Sequence, residues 1–358
     1  MQKQAPTVRA VDVGYGHVKW TEGRDTSGHI IADTFPSQAP LVTEGKGKTE
    51  IMQQRDTFVI PVNGKNYVVG RQVKLEIGKN QELEQLDSTF ALSDGYTARL
   101  YGALNYMLPT LPPSRTIDFL MLGLPLTTIN RNSDQLMSRF IGDHVINAKG
   151  DTVSIKSCAV YPQPLGGYAA YLQRPLARHS QPPMALVIDV GYNTVDWVTC
   201  EGMVDNPSLS DAVERGMSGF LREVAKTVIE TSGIPETESA VVRMLDQHMI
   251  NGGEFRLAGK LIDISKHTQA GNTILEQAAQ AIKNNIGVGG SIDLIIISGG
   301  GAKLYAPWIQ KQFPHHEIIT LPAPALANVR GFHQFGEWIA ESASRANHLA
   351  VVAPECVE

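Results

Sequence analysis

A nine-residue motif that occurs twice in the chain carries the residue types best suited to chemistry. Its copies, DVGYGHVKW from Asp12 and DVGYNTVDW from Asp189, agree at six of nine positions and begin 177 residues apart. In each copy an aspartate precedes a glycine turn, and such a turn exposes consecutive backbone N–H groups that bind anions. A carboxylate two residues ahead of the turn suits Mg²⁺ held through its waters. The motif therefore predicts two phosphate-binding turns and an associated magnesium ion.

The two copies differ at one position where the difference reverses the charge. The first copy has Lys19, a cation that suits a phosphate oxygen, whereas the second has Asp196 at the equivalent place. The second turn also has Asn193 and Thr194, whose side chains add hydrogen-bond donors. Spacing alone leaves open a second interpretation, in which Lys19 is a solvated strand residue. If the two turns face each other across a cleft, they would hold the β- and γ-phosphates of a nucleotide from both sides.

Short strands are needed on both sides of each turn to hold it in place. VRAVDV (8–13) and HVKWT (17–21) predict one β-hairpin, and ALVIDV (185–190) and TVDWVT (194–199) predict a second. Strands that alternate with helices indicate the α/β class, and the half-chain repeat indicates two domains with one duplicated fold. The remaining apolar patterns predict strands at 117–126, 153–162 and 293–298 and within FVIPV and YVVG, and helices at 94–108, 133–141, 166–176, 218–230, 274–286 and 331–345.

The composition is that of an ordinary globular protein. The chain has 358 residues, of which 42% are hydrophobic and 19% are charged, enough for two domains with separate cores. A formal net charge of −5 argues against attraction of the whole surface to nucleic acid. No apolar stretch is long enough to cross a membrane, and the N-terminal residues lack a continuous apolar signal segment. The three cysteines, Cys158, Cys200 and Cys356, have no CxxC spacing, which suits reduced thiols in a cytoplasm and indicates no metal site.

A second glycine-rich segment, SGGGAKL (298–304), follows the predicted strand DLIIIS. It fails the GxGxxG pattern of a dinucleotide-binding turn because the sixth position is Leu304. The chain also lacks the GxxxxGK[ST] pattern, which excludes a P-loop, and its ten histidines show no HExxH pairing. The repeated hairpin is therefore the strongest candidate for nucleotide chemistry.

Five motifs together resemble those of the actin-like ATPase superfamily, which also includes sugar kinases and the ATPase domains of heat-shock chaperones. They occur in the family's order and span nearly the whole chain. Within the family, GLPL, YPQPLGGY and SGGGAKL are most similar to the plasmid-segregation actins of bacteria, the ParM/StbA type. The motifs are DVGYGHVKW and VIDVGYNTVDW for the phosphates, MLGLPLTTINRN (121–132) and ANVRGFHQFG (327–336) for the connections, and IISGGGAKLY (296–305) for adenosine.

The resemblance implies an actin-like two-domain α/β fold, in which duplicated ribonuclease H-like domains surround a nucleotide cleft. Domain I would comprise residues 1–164 and 331–358. Domain II, which has the adenosine motif, would comprise residues 165–330. The strand at 117–126 and its GLPL turn would belong to the hinge between them. The resemblance also implies ATP and Mg²⁺ as cofactors.

The resemblance further implies a role for each residue of the motifs. Asp12 and Asp189 would hold hydrated Mg²⁺, and Asp189 would also be catalytic. Gln163, within YPQP, would position the attacking water; the best-known bacterial segregation actin has Glu there, and eukaryotic actin has Gln. Because glutamine orients water but is no strong base, we predict slow hydrolysis; a turn residue between prolines is the alternative. The phosphates would contact Gly14, Tyr15, Gly16, His17, Lys19, Gly191, Tyr192, Asn193 and Thr194, and the adenine would contact Gly299, Gly300, Gly301, Ala302 and Lys303.

The helix predicted at 218–230 begins just after Glu214 and Gly216, with Ser218 as its first residue. Helix N-termini attract anions, so this one could face the nucleotide. A capped core helix is the alternative interpretation.

Three functions fit these expectations. The first is a cytoplasmic ATPase that polymerises with itself and segregates plasmid DNA through a DNA-binding adaptor at the plasmid centromere, without contacting nucleic acid or membrane directly. The second is a small-molecule kinase, which needs a carboxylate base beside the acceptor hydroxyl, such as Asp118 or Asp134. The third is a nucleotide-gated scaffold with another cellular role, such as a chaperone-like relative. The glutamine at position 163 favours the first over the second.

Overall fold

The computed structural model describes residues 5–42, 55–77, 88–174, 182–202 and 204–352, with the backbone alone for 344–352. Cys356 and the outermost residues of the predicted domain I lie outside these ranges. The chain divides into two compact units, Met1–Ala177 with Leu326–Glu358, and Arg178–Ala325. Each unit has a central sheet and a hydrophobic core of its own. The predicted α/β class with a duplicated fold is confirmed.

In the described part of its first 172 residues, the first unit begins with five strands, and three α-helices and three further strands follow. They are β1 (Val8–Val13), β2 (His17–Arg24), β3 (Ile30–Pro36), β4 (Phe58–Val62), β5 (Lys65–Val69), α1 (Asp94–Met107), β6 (Thr116–Leu124), α2 (Leu126–Phe140), β7 (Gly142–Val145), β8 (Thr152–Pro162) and α3 (Gln163–Leu172). Most of the predicted elements lie within two residues of these bounds, and the exceptions are the end of β2, the start of α2 and both ends of α3. The helix predicted at 331–345 is also longer at both ends, because it spans Ala327–Val352.

The second unit begins with the second copy of the motif, and the chain then returns to the first unit. The elements are β9 (Met184–Val190), β10 (Val195–Glu201), β11 (Val204–Val213), α4 (Met217–Ser232), α5 (Glu238–Asn251), β12 (Arg256–Leu257), β13 (Lys260–Leu261), α6 (Asn272–Ile286), β14 (Leu294–Ser298), α7 (Ala302–Gln312), β15 (Glu317–Thr320) and, in the first unit, α8 (Ala327–Val352). None of the helices in the described part of the chain is long and apolar enough to cross a membrane.

The central sheets of the two units share one strand order. It is β3-β2-β1-β6-β8-β7 in the first unit and β11-β10-β9-β14-β15 in the second. In both sheets an antiparallel meander of three strands is followed by two parallel strands. The first sheet adds β7 as an antiparallel edge. Five strands thus occupy equivalent places in both units, as a duplicated domain requires.

The repeated motif forms the same hairpin in both sheets. Asp12 pairs with Lys19 across the first hairpin, and Asp189 pairs with Asp196 across the second. One valine pair separates each of these pairs from its turn. Because side chains alternate between the faces of a sheet, an identical register places equivalent residues on equivalent faces. The charge reversal between the copies therefore occurs at one geometric position.

Strand β1 is buried along its whole length because helices cover both faces of its sheet. On one face Val11 and Val13 belong to a core that includes residues of α1 and α2. On the other face Val8 and Ala10 pack with Phe332 of α8. A strand with apolar residues on both faces reads as a continuous apolar run, and this is the pattern of VRAVDV. The carboxylate of Asp12 stands at the buried end of that run.

Helices α3 and α8 pack at very short range in the first unit. A Cβ placed on Gly331 of α8 would lie 1.8 Å from the carbonyl oxygen of Gly166 in α3, and a Cβ on Gly166 would lie 2.5 Å from the carbonyl oxygen of Asn328. This packing assigns all of α3 to the first unit, whereas the sequence suggested a domain boundary at residue 164. Since Gln163 begins α3, the contact also determines where that glutamine stands.

The start of helix α2 differs from the sequence-based expectation. The pattern predicted a helix from Ser133 to Ile141 with the serine as its cap, but the helix begins at Leu126, directly after Pro125. The backbone N–H groups of Thr128 and Ile129 both donate to the carbonyl oxygen of Pro125, at 3.1 Å. Proline needs no N–H partner of its own, so it suits the start of a helix. The β-branched residues that follow Leu126 have a low helix propensity, so the sequence pattern did not indicate a helix start there.

We predict that Gly331→Ala destabilises the first unit. The added methyl group has no space beside Gly166, so α3 and α8 must separate, at a cost of about 1–3 kcal/mol or more in the free energy of unfolding. Chemical denaturation followed by circular dichroism measures this change. Gly290→Ala is the matched control, because a Cβ there meets nothing within 4 Å. Equal stability of the two variants would contradict the packing described for α3 and α8.

Candidate functional site

The first turn is held by contacts on both sides of its glycines. The N–H of Gly14 donates to the carbonyl oxygen of His17 at 3.1 Å, and the carbonyl oxygen of Gly16 accepts from the N–H of Ser37 at 2.9 Å. A Cβ on Gly14 would lie 2.9 Å from that His17 oxygen and 3.0 Å from the Nζ of Lys19. The turn therefore requires glycine at position 14 for space.

The carboxylate of Asp12 brings together three of the predicted site residues. Its side chain is only 2% exposed. The Nζ of Lys19 lies 2.9 Å from Oδ2, and the Nε2 of Gln163 donates to Oδ1 at 2.7 Å. A buried charge is costly unless it is paired and hydrogen-bonded, and both conditions are met here. Lys19 is thus no solvated strand lysine, and Gln163 is the first residue of a helix rather than part of a turn.

The contact with Asp12 determines which way the side-chain amide of Gln163 points. An ionised carboxylate only accepts hydrogen bonds, so the NH₂ group of Gln163 must face Asp12. The amide oxygen then points elsewhere and is the group left to accept a hydrogen bond from water. The start of α3 after Pro162 fixes the backbone of Gln163, and Pro164 stands within the first helical turn, where proline is tolerated.

His17 stands in the first turn as a neutral imidazole. Burial, together with the nearby positive charges of Lys19 and Lys74, lowers the pKa of His17 to about 3. At neutral pH the ring therefore offers an N–H donor and a lone pair but no positive charge. Of His17 and Lys19, which were both predicted to contact the phosphates, Lys19 is therefore the one that carries a positive charge.

The second turn repeats the backbone of the first with different side-chain contacts. The N–H of Gly191 donates to the carbonyl oxygen of Thr194 at 2.9 Å. The hydroxyl of Thr194 donates to a carboxylate oxygen of Asp196, which is 1% exposed. Asp196 stands where the first hairpin has Lys19, and it fixes a side chain of its own turn. The charge reversal predicted from the sequence therefore has a structural role within the second hairpin.

Helix α4 supports the second turn with its first N–H groups. Those of Gly216, Met217 and Ser218 donate to the carbonyl oxygens of Asn193, Gly191 and Tyr192, at 3.0, 3.1 and 2.7 Å. A Cβ on Gly216 would lie 2.7 Å from the Tyr192 oxygen, so the close approach requires glycine. Because these N–H groups already have acceptors, the helix N-terminus holds the turn rather than a phosphate. The core-helix alternative of the sequence analysis is the better description, but no side chain caps the start of the helix.

The glycine segment after β14 packs against the end of β9. Gly299 has φ +88°, and a Cβ there would lie 2.4 Å from the carbonyl oxygen of Val190 and 2.5 Å from Oδ1 of Asp189. The N–H of Gly301 donates to the same Val190 oxygen at 3.1 Å. The hydroxyl of Ser298 lies 3.5 Å from Oδ1 of Asp189. The predicted adenosine segment and the predicted metal carboxylate are therefore in direct contact within the second unit.

The remaining adenosine residues differ in exposure. Gly300 and Lys303 are exposed, whereas Ala302 is fully buried at the start of α7. Exposed backbone at Gly300 suits contact with a flat base, and the buried Ala302 fixes the helix that follows. The second unit thus brings together Asp189, its turn and the glycine segment. The first unit brings together Asp12, Lys19, Gln163 and its own turn.

The donor set suits a hydrated magnesium ion better than a directly bound one. In the described part of the chain, no three His, Cys, Asp or Glu side chains form a group that could hold a metal. Each unit contributes one strand-end carboxylate, Asp12 or Asp189, and both are buried. Mg²⁺ keeps several of its waters, so the carboxylate of either unit, taken by itself, suits contact with the ion through them. For Asp12 this requires that Lys19 or Gln163 exchange its hydrogen bond for one to water or phosphate.

Three residues that support the turns were not among the predicted site residues. Ser37 on the strand edge holds the first turn, while Gly216 and Ser298 hold the second turn and its carboxylate. A glycine just before an amphipathic helix was a visible signal for Gly216. Ser298 begins the glycine-rich segment SGGGAKL, whereas Ser37 has no sequence signal of its own because its role depends on strand pairing.

Two family models match separate halves of the chain. One, described as the N-terminal domain of actin-like proteins, matches residues 10–166, and the other, described as the C-terminal domain of the archaeal actin homologue MreB-like, matches residues 187–311. The chain belongs to the actin-like protein family. Both copies of the repeated motif, Gln163 and the glycine segment of this actin-like protein lie within the matched residues.

The actin-like chain is similar in fold to solved structures along most of its length. The archaeal actin homologue Ta0583 shares 20% identity at a TM-score of 0.69, covering 95% of this chain and 99% of that one. Its complex with ADP gives 0.70 at 18% identity, with 95% and 99% covered. A 15-stranded ParM filament from Clostridium botulinum gives 0.70 at 20% identity, with 94% and 100% covered. Identities this low establish the fold alone. A search of curated proteins finds no match.

We predict that His17 remains neutral in the folded protein between pH 8 and about pH 4. Its folded pKa lies below that of an unfolded histidine, so the unfolded chain binds more protons between about pH 6.5 and pH 3. The contribution of His17 to the free energy of unfolding therefore falls as the pH falls below 6.5, by no more than about 1.4 kcal/mol per pH unit.

Histidine NMR titration and denaturation of His17→Gln between pH 7 and pH 4.5 measure this effect. The variant should lose less stability than the parent over that range. A His17 resonance that titrates near pH 6.5 would contradict the burial described here.

Proposed function

We propose that this actin-like protein binds ATP with Mg²⁺, hydrolyses the ATP slowly and forms filaments whose assembly follows the nucleotide state. The observation that carries the proposal is the buried cluster of Asp12, Lys19 and Gln163. It joins a strand-end carboxylate, a cation and a side-chain amide beside a glycine turn. This combination suits phosphoryl chemistry, in which positioning and charge do most of the work.

Phosphate binding would use the backbone of both turns and the cation of the first. The N–H groups of Tyr15 to His17 and of Tyr192 to Thr194 would donate to phosphate oxygens. Lys19 would exchange its contact with Asp12 for a contact with a phosphate oxygen. Gly299 to Lys303 would hold the adenosine. The ADP complex of the archaeal homologue supports a nucleotide as the ligand, because it shares the fold.

Hydrolysis would depend on the orientation of one water by Gln163. Its NH₂ group is held by Asp12, so its amide oxygen would accept a hydrogen bond from the attacking water. Asp12 and Asp189 would hold the waters of Mg²⁺. When bound, the ion would supply charge neutralisation at the β- and γ-phosphates. Because glutamine does not remove the proton as a strong base would, turnover would be slow.

Filament formation would couple to this chemistry through differential affinity. A nucleotide shifts assembly only if polymer contacts differ in free energy between the ATP and ADP states. The ParM filament with the same fold supports self-association as the function. We further propose that the cargo is plasmid DNA, held in the cytoplasm through a DNA-binding adaptor at the plasmid centromere. The net charge of −5 favours an adaptor over direct contact with DNA.

The carboxylates considered for a kinase base are poorly suited to that role. Asp118 accepts from the N–H of Thr7 and from Lys156, both at 2.7 Å, at the start of β6 rather than at its turn end. Asp134 is exposed on α2. A general base must reach an acceptor hydroxyl beside the phosphate. Asp118 lies beside Thr7, at the end of β1 opposite to Asp12.

We predict that Gln163→Ala slows phosphate release by about tenfold or more and leaves ATP binding and polymerisation intact. Its filaments should persist longer than those of the parent, because hydrolysis weakens them. Asp189→Ala should abolish hydrolysis. A phosphate-release assay with light scattering measures both properties in one sample.

The matched control for this experiment is Gln135→Ala, which removes an exposed glutamine from α2. It should release phosphate at the rate of the parent. Equal rates for Gln163→Ala and the parent would remove Gln163 from the mechanism while leaving nucleotide binding untouched.

We predict that the parent sediments as polymer with ATP or a non-hydrolysable analogue, and far less with ADP. Centrifugation at several protein concentrations, followed by negative-stain microscopy of the pellets, measures this difference. Absence of polymer under every nucleotide condition at high concentration would overturn the filament proposal. ATP-dependent phosphorylation of a sugar would instead identify a kinase.

A further inference from the structure

A cavity of about 420 Å³ opens in the first unit at the end of β1 opposite to its turn. It lies between the start of β1, the end of β2, the segment after α1 and one side of α8. Asp12 and the phosphate turn stand at the other end of β1, so this cavity is separate from the candidate nucleotide site. Its polar and charged lining includes Thr7, Arg9, Arg24, Thr110, His333 and Glu337.

Arg9 carries a positive charge into the wall of this cavity. The residue is only 5% exposed. Its terminal nitrogens donate to the carbonyl oxygens of Val8 and Thr110, at 2.8 and 2.6 Å, and more weakly to the Thr110 hydroxyl at 3.4 Å. Its Nε is buried and has no hydrogen-bond partner. The guanidinium therefore has donor capacity beyond the neutral groups that it contacts.

The charge of Arg9 has no carboxylate partner within ion-pair distance among the described residues. Burial lowers the pKa of Arg9 to about 10, which still leaves it charged at neutral pH, and Glu22 opposes that shift from a distance. A buried cation that bonds only neutral oxygens is costly unless an anion joins it. This is the property expected of an anion-binding arginine in its free state.

The one carboxylate in the cavity wall already has other partners. Glu337 accepts from Arg24, with the Nε of Arg24 2.9 Å from Oε1, and Nε2 of His333 lies 3.5 Å from the same oxygen. Nδ1 of His333 in turn bonds the Thr21 hydroxyl at 2.8 Å. Glu337 is thus neutralised by Arg24, and the positive charge of Arg9 remains the unbalanced charge of the wall.

The backbone leaves space for a ligand next to that charge. Gly23 has φ +101° at an irregularity between β2 and β3, and a Cβ there would lie 3.5 Å from a terminal nitrogen of Arg9. Without a side chain at this position, the guanidinium faces the cavity along one edge. The volume is in the range of sites for small molecules rather than for peptides or nucleic acid.

We propose that this cavity binds a small organic anion, a carboxylate or a phosphate ester, through Arg9. The planar guanidinium has donors in a fork that matches either group. Arg24 at the rim is paired with Glu337, so Arg9 is the cation that the ligand would meet. The site is independent of the proposed ATPase function and would exist whether or not the chain hydrolyses ATP. Glu337 weakens binding because its carboxylate cancels the charge of Arg24, which would otherwise attract the ligand.

Calorimetric titration of the full chain with succinate and with inorganic phosphate tests the proposal, each at constant ionic strength set by chloride. At least one probe should bind saturably to the parent. Arg9→Gln should weaken that binding by about tenfold or more, because a charge-assisted hydrogen bond is lost. Glu337→Gln should tighten it, since the opposing charge is removed. Saturation by succinate alone identifies a carboxylate ligand, and saturation by phosphate alone identifies a phosphate ester.

Arg131→Gln is the matched control, because it removes the same charge from an exposed arginine of the same unit and should bind like the parent. If Arg9→Gln does not fold, as judged by circular dichroism, Glu337→Gln decides the question. The proposal is overturned if neither probe binds the parent saturably, if Arg9→Gln folds and binds like the parent, or if Glu337→Gln binds no tighter than the parent.

Discussion

A buried carboxylate at the end of a central strand is the constraint on which the first unit depends. Asp12 is charged and shielded from water, so it needs both a cation and a hydrogen-bond donor. Lys19 reaches it only because β2 pairs with β1 in one register, and Gln163 reaches it only because α3 begins directly after β8. The glycine contact of α3 with α8 then holds that helix start in place. Strand register, helix start and helix packing therefore converge on one side chain.

In the second unit, the turn and the end of β9 are held mainly by backbone packing. Gly216, Gly299 and Gly301 each stand where a Cβ would overlap another group, and two of them approach the end of β9. Carbonyl oxygens of the turn accept from the start of α4. Close backbone contacts at glycines thus hold most of this site, whereas the first site adds an ion pair between Lys19 and Asp12. Changes at these glycines would act through sterics and would respond little to salt.

The sequence predicted the parts of the fold that are encoded locally. Both hairpins were located closely, because the repeat, the apolar runs and the turn glycines agree with one another. The starts of α2 and α3 were missed, since Pro125 and Pro162 begin helices through tertiary context rather than propensity. The grouping of Asp12, Lys19 and Gln163 was inferred from a resemblance. The contacts of Ser37, Arg9 and His333 depend on pairing between distant segments, and no local pattern contains that information.

The divergence between Lys19 and Asp196 limits how such a protein could have evolved. A chain built from two first halves would carry a lysine at both equivalent positions, and one built from two second halves would carry an acid at both. Neither chain would have both a lysine beside a strand-end carboxylate, as Lys19 is beside Asp12, and an aspartate bonded to a threonine of the turn, as Asp196 is to Thr194. Once the copies had specialised in this way, neither could replace the other. Exchange of either hairpin for a copy of the other would therefore remove one of these two contacts.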